Sequence, residues 1–341
     1  MSHDETTELT LSEAKLLIKT MAHEQSLLLL SPPGVGKSDI VLQAAAEAGL
    51  PCRSLLGTQI APEDVSGIPC IVGERSVFCP PRVLLPEDGQ PFCLFLDELP
   101  ASPPDIQKAF YALLLERRIG EYPLPAGSWV VAAGNRAEDR ALVRGMSSAL
   151  VNRVQMTHIK VNRKEWLIWA KSAGVRSDIL AFIVYMPSAL MRSVPRDPSP
   201  FSTPRAWASL SEALTLAEEA GILTESNRRA LAFGRVSPED AAIYCALAEE
   251  QIDALLPIED YFDAPEKIPA ADTARWFIIN RLRTLLQKGE LPPIDPWKVN
   301  NFLAALPNEF RFAVMVDLVQ QWGELGASEA MLTALREVTG L

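Results

Sequence analysis

The stretch Leu27-Leu28-Leu29-Leu30-Ser31-Pro32-Pro33-Gly34-Val35-Gly36-Lys37-Ser38 decides how the rest of the chain is read. Four consecutive leucines are too few for a helix and run straight into a Pro/Gly cluster, which predicts a strand buried on both faces of a parallel sheet. The residues after the leucines read as a phosphate cradle. Gly34 and Gly36 lack a Cβ, so successive backbone N–H groups can turn inward toward phosphate oxygens, and the segment from Asp39 to Ala48 reads as a helix whose positive end faces the same point. In that arrangement Lys37 reaches the β- and γ-phosphates and the Ser38 hydroxyl is a magnesium ligand. The candidate nucleotide-binding residues are therefore Pro33, Gly34, Val35, Gly36, Lys37, Ser38 and Asp39. The motif G-x-x-x-x-G-K-[ST] asks for glycine where this chain has Ser31, a departure expected to touch only the outer end of the loop.

With 341 residues the chain exceeds the usual size of one core, so two or three domains are expected. It is 48% hydrophobic and 22% charged, a globular composition, and no run approaches the length of a membrane span. Its 43 acidic against 32 basic residues, with no basic stripe, argue against a nucleic-acid partner, whose phosphates need local positive charge. The start, Met-Ser-His-Asp-Glu-Thr-Thr-Glu, is acidic and lacks the apolar core of a signal peptide. Five cysteines with no C-x-x-C spacing fit reduced thiols in a cytoplasmic protein.

Along the chain, Thr10-Leu-Ser-Glu13 predicts a capping box that opens a lead-in helix ending near His23. Cys52 to Leu56 reads as a second strand, and Ile68 to Cys79 alternates around Gly73-Glu74-Arg75 as a hairpin standing off the sheet. Pro91 to Asp97 is a third buried strand, ending in Asp97-Glu98. Carboxylates at the end of a core strand lose hydration and are costly unless they hold a metal or do chemistry. Asp97 suits support of Mg²⁺, and Glu98 suits a base that orients and deprotonates an attacking water. A helix starts at Ser102-Pro-Pro-Asp105, with Ile106, Phe110, Leu113 and Leu114 on one face, and Glu116 to Ser128 forms a second hairpin. The strand Trp129 to Gly134 then ends in Asn135, an amide placed to share a water or γ-phosphate oxygen with Glu98. After a short helix at Ser147 to Arg153, Val154 to Val161 supplies a fifth strand. The remainder is helical, with a proline-broken loop from Met186 to Pro204 and a boundary at Ile258 to Pro269.

Pro33-Gly-Val-Gly-Lys-Ser38, Leu96-Asp-Glu-Leu99, Gly134-Asn135, Leu150-Val-Asn-Arg-Val154 and Thr203-Pro-Arg-Ala206, in that order, resemble the AAA+ ATPases, and among them the MoxR-like group, over roughly residues 10 to 250. The resemblance implies an α/β fold: a five-stranded parallel P-loop core with inserted β-hairpins over residues 1–161, a helical lid over 162–257 and a C-terminal helical extension over 270–341. It implies an enzyme that hydrolyses ATP with Mg²⁺ to remodel or mature a protein client, commonly with a partner carrying a von Willebrand factor A-like domain. Arg153 is implied as an arginine finger acting on a neighbouring subunit, with Arg136, Arg140 and Arg144 as rivals, and Arg205 as the lid arginine. A finger in trans implies assembly, with a homo-hexamer as the family's form. A magnesium-chelatase-like motor subunit and a nucleotide-gated binding module are the alternatives, and a complete hydrolytic set of Glu98, Asn135 and Arg153 argues against the latter.

Overall fold

The computed structural model of the chain describes residues 7–85, 88–136, 146–248, 255–288, 294–308, 310, 311 and 314. These divide into two compact units, Met1–Trp169 with Met191–Ala206, and Ala170–Leu190 with Trp207–Leu341.

The first unit is built on a parallel sheet. Its strands are β1 (Glu8–Leu9), β2 (Leu27–Leu30), β3 (Cys52–Leu56), β6 (Cys93–Asp97), β9 (Trp129–Gly134) and β10 (Gln155–Ile159), with β4 (Ile68–Val72), β5 (Arg75–Cys79), β7 (Arg118–Ile119) and β8 (Tyr122–Pro123) forming two separate antiparallel hairpins. The spatial order is β1-β10-β2-β9-β6-β3. Five of these strands are the ones expected. The sixth is Glu8–Leu9, which pairs with His158 and Ile159 at the sheet's edge. Two residues carry no periodicity, so their strand character comes from the partner and not from the segment itself.

The leucine run explains why the sheet is covered on both sides. Successive side chains of a strand point to opposite faces. Leu28 and Leu30 join Leu94, Leu96, Val130 and Ala132 in one core, together with Ile106, Phe110, Leu113 and Leu114 from helices α4 (Pro104–Ala109) and α5 (Tyr111–Glu116). Leu27 and Leu29 join Phe95, Val131 and Ala133 in the other, beneath α1 (Leu11–Met21) and α2 (Lys37–Glu47). The helix expected as one piece from residue 102 is therefore two, with Phe110 as the cap of both and buried beneath them. α1 has the expected capping box, in which Thr10 and Glu13 satisfy each other's backbone N–H groups.

Short helices α3 (Glu63–Ser66) and α6 (Ser148–Val151) complete this unit, and α7 (Arg163–Ser172) and α9 (Pro204–Glu219) carry the chain onward. The second unit holds α8 (Ser177–Tyr185), α10 (Glu225–Phe233), α11 (Pro238–Ala248), α12 (Ile258–Asp263), α13 (Asp272–Lys288) and α14 (Pro296–Ala305). Trp207, Phe182 and Tyr244 pack together in its interior in tilted and edge-to-face contacts, with centroids 5.1 to 5.8 Å apart. The acidic, proline-bearing stretch after residue 257 folds as α12. Its Ile258, Tyr261 and Phe262 pack with Ile278, Ile279, Leu282 and Phe302 in a core shared with α13 and α14. The five cysteines are free thiols: Cys93 and Cys245 are buried, Cys79 is exposed, and Cys52 and Cys70 lie between. No helix among the described residues is long and apolar enough to cross a membrane.

Candidate active site

The candidate site is assembled at the C-terminal ends of β2, β9 and β6, which lie side by side in the sheet. Beyond Leu30 the chain turns into α2, whose first residue is Lys37, two positions earlier than the sequence predicts. Gly36, the N-cap of this helix, has φ +111°, and Gly34 has φ +76°, both in the left-handed region that favours glycine. At Gly34 a side chain is excluded twice over, because a Cβ there would stand 2.6 Å from Thr203 Oγ1. With glycine at the cap, no cap side chain bonds the first N–H groups of α2.

Lys37 is only 8% exposed, a burial that a lysine tolerates when its ammonium is well bonded. Its Nζ donates to Ser31 Oγ at 2.9 Å and lies 3.2 Å from each of Ser31 O, Pro32 O and Asn135 Oδ1. Asn135 is within reach because β9 pairs directly with β2, Gly134 standing opposite Leu30. The expectation that Ser31 touches only the outer end of the loop is wrong. Ser31 is fully buried, its N–H continues the β2–β9 ladder to Gly134 O at 3.3 Å, and its side chain turns inward onto the ammonium.

On the next strand, Asp97 Oδ2 accepts from Ser38 Oγ at 2.9 Å, and Asp97 Oδ1 accepts the Glu98 N–H at 3.0 Å. Glu98 has φ 56°, a left-handed conformation uncommon outside glycine. Strain of this kind is stored where surrounding structure over-determines it. Here the turn Leu99–Ala101 is pressed onto β9: a Cβ on Gly134 would lie 2.2 Å from Pro100 Cδ. Gly57 does the same on the other side, where a Cβ would lie 2.1 Å from Ser102 Oγ, and its N–H donates to Asp97 O at 2.9 Å. Thr58, the next residue, donates its hydroxyl to Glu98 Oε2 at 2.9 Å. Sequence reasoning passes over Gly57 and Thr58, and takes Gly134 only as the strand end before Asn135. Only the sheet order, which sets β3 and β9 on either side of β6, reveals them.

The structure thus brings Lys37, Ser38, Asp97, Glu98 and Asn135 together, with Pro33, Gly34, Val35 and Gly36 forming the loop around them and Asp39 exposed on the first turn of α2. Arg205 is tied to the same loop by its backbone, its N–H donating to Gly34 O at 3.0 Å, while Thr203 Oγ1 accepts from Ala206 N at 3.0 Å. Its side chain is exposed. Arg153 stands apart. Its guanidinium lies 4.9 Å over the Tyr111 ring, its Nη1 donates to Ala149 O at 2.7 Å, and its Nε is buried without a hydrogen-bond partner among the described residues. Arg136 Nη1 pairs with Glu8 Oε1 at 3.0 Å. Arg140 and Arg144 lie outside the described residues.

The donor set fits Mg²⁺. Ser38 Oγ and Asp97 Oδ2, 2.9 Å apart, are hard oxygen ligands, and Mg²⁺ is ordinarily bound by one or two carboxylates together with substrate phosphates.

No protein-family model matches the chain, and no curated protein matches it. Among solved structures, the Thermotoga maritima RuvB Holliday junction branch migration motor aligns at 14% identity and a TM-score of 0.42, covering 95% of this chain and 86% of that one. NtrX from Brucella abortus aligns at 14% identity and a TM-score of 0.40, covering 98% and 68%.

Proposed function

We propose that the chain is an ATP hydrolase of the AAA+ type, MoxR-like, which uses Mg-ATP to remodel or mature a protein client, with a von Willebrand factor A-like domain protein as the partner its family resemblance implies. The observation that carries the reading is the convergence, on three adjacent strand ends, of Lys37 beside Asn135 and of Ser38 beside Asp97, with Glu98 next in the chain. Each has a part in phosphoryl transfer. Lys37 exchanges its 3.2 Å contacts for β- and γ-phosphate oxygens, and the N–H groups of the loop and of α2 cradle the rest of the triphosphate. Ser38 and Asp97 hold Mg²⁺, which when bound neutralises charge on the phosphoryl oxygens. Glu98 accepts a proton from the attacking water, and Asn135 fixes that water or the γ-phosphate by its amide. Arg153 serves the site of a neighbouring copy and Arg205 its own, so that the working form is a closed ring, a homo-hexamer in the cytoplasm.

The test is Glu98→Gln. ATP binding survives in this variant and turnover falls by at least two orders of magnitude. Turnover equal to that of the unsubstituted chain removes the reading.

A further inference from the structure

The geometry points to Ser31 as a positioning residue that sets the preference of the site for triphosphate over diphosphate. The inference rests on the nucleotide reading proposed for the site and adds a residue to it, at the one position where the loop departs from its motif.

The side chain is built in, not incidental. Ser31 is fully buried at the last rung of β2 against β9. Its hydroxyl donates to Pro32 O at 2.8 Å, which uses its one proton and leaves its lone pairs for the ammonium of Lys37 at 2.9 Å. This acceptor lies nearer to that ammonium than Ser31 O, Pro32 O and Asn135 Oδ1, each at 3.2 Å. Hydrogen bonds to charged donors are stronger than neutral ones and sharpen with proximity. One N–H of Lys37 is thereby committed to Ser31. The contacts to Ser31 O, Pro32 O and Asn135 Oδ1 are the ones a phosphate oxygen can replace. A glycine at position 31 offers the ammonium no such side-chain acceptor.

The consequence is selective. Lys37 serves the β/γ end of the nucleotide, so an ammonium held in place adds to triphosphate binding more than to diphosphate binding. A merely structural serine would affect both alike.

The experiment measures Kd for ATP and for ADP, each with Mg²⁺, on the unsubstituted chain and on Ser31→Ala and Ser31→Gly, with melting temperature recorded alongside. Expected is a three- to tenfold weakening of ATP binding in both variants, about the net value of one ordinary hydrogen bond, with ADP within about twofold. Ser31→Gly places the motif's own residue at a position every P-loop backbone accepts, so it serves if Ser31→Ala folds poorly. An unchanged ratio of ATP to ADP affinity, or an equal loss for both, overturns the assignment of Ser31. Failure of the unsubstituted chain to bind either nucleotide overturns the nucleotide reading itself.

Discussion

At the scale of single residues, two backbone positions set what the site tolerates. Gly34 is both left-handed and pressed against Thr203, whereas Gly49, at φ +71° after α2, has nothing within 4 Å of a built Cβ. The pair separates strain from overlap. Gly49→Ala should cost about 1 kcal/mol of unfolding free energy, the penalty for left-handed φ alone. Gly34→Ala should cost about 2 to 4 kcal/mol, since overlap with a buried neighbour adds to that strain. Urea denaturation of both variants checks the difference, and equal losses would mean that Thr203 moves aside freely. Glu98 offers the converse case. It is a carboxylate in a glycine-like conformation, so Glu98→Gly should be at least as stable as the parent, within about 1 kcal/mol, while losing hydrolysis. A clear loss of stability would show that its bond from Thr58 outweighs the strain.

Between elements, two charged clusters behave differently because one is buried and the other is not. In the second unit, Asp178 at the start of α8 is 8% exposed and accepts from Arg176, from Arg228 at 3.5 Å and from the Tyr244 hydroxyl at 3.1 Å. Burial, and then the Asp178 carboxylate, push the Tyr244 phenol well above its ordinary value, so it stays a proton donor. Removing one member of a buried charged set leaves the others uncompensated. Asp178→Ala should therefore lower unfolding free energy by about 3 to 5 kcal/mol, and Asp178→Asn by less. On the surface of the first unit, Lys15 and Lys19 of α1 both bond Glu47 of α2, at 2.7 and 2.9 Å. These bonds hold the Glu47 carboxyl down at about 2, from 4.5. A depressed carboxylate contributes stability that is present above the unfolded value and lost as pH falls through the folded one. The contribution is small and screened by salt. The difference in melting temperature between the parent and Lys15→Ala/Lys19→Ala should accordingly be present at pH 7, shrink as pH drops from about 4.5 toward 2, and also shrink in high salt.

For the whole molecule, the position of Arg153 matters most. It is stacked on Tyr111 and bonded to Ala149, and the role proposed for it in a neighbouring copy is open to a direct test. If the proposed ring forms, Arg153→Ala should lower turnover by about 10³ or more with ATP binding retained. Mixed with Lys37→Ala, which lacks a working site but keeps its arginine, it should recover part of the activity. Mixing that restores nothing would assign Arg153 to its own chain or to no catalytic role.

The order of parts was legible in the residues themselves. A run of leucines that alternates between two cores must be a strand covered on both faces, and Gly36-Lys37-Ser38 and Asp97-Glu98 are local patterns whose chemistry depends on residue type and short spacing. Contacts between distant segments were not legible. Glu8–Leu9 became a strand only by pairing with β10, Gly57 and Gly134 were fixed by what presses on them from Ser102 and Pro100, and Thr58 met Glu98 because β3 lies beside β6. Ser31 is the sharpest instance: along the chain it is one missed position of a motif, and in the fold its hydroxyl lies nearer the Lys37 ammonium than Ser31 O, Pro32 O or Asn135 Oδ1 does. Side-chain type and local spacing decide which groups are available. Which of them meet is settled by strand order and close packing, and both of those depend on residues far away in the sequence.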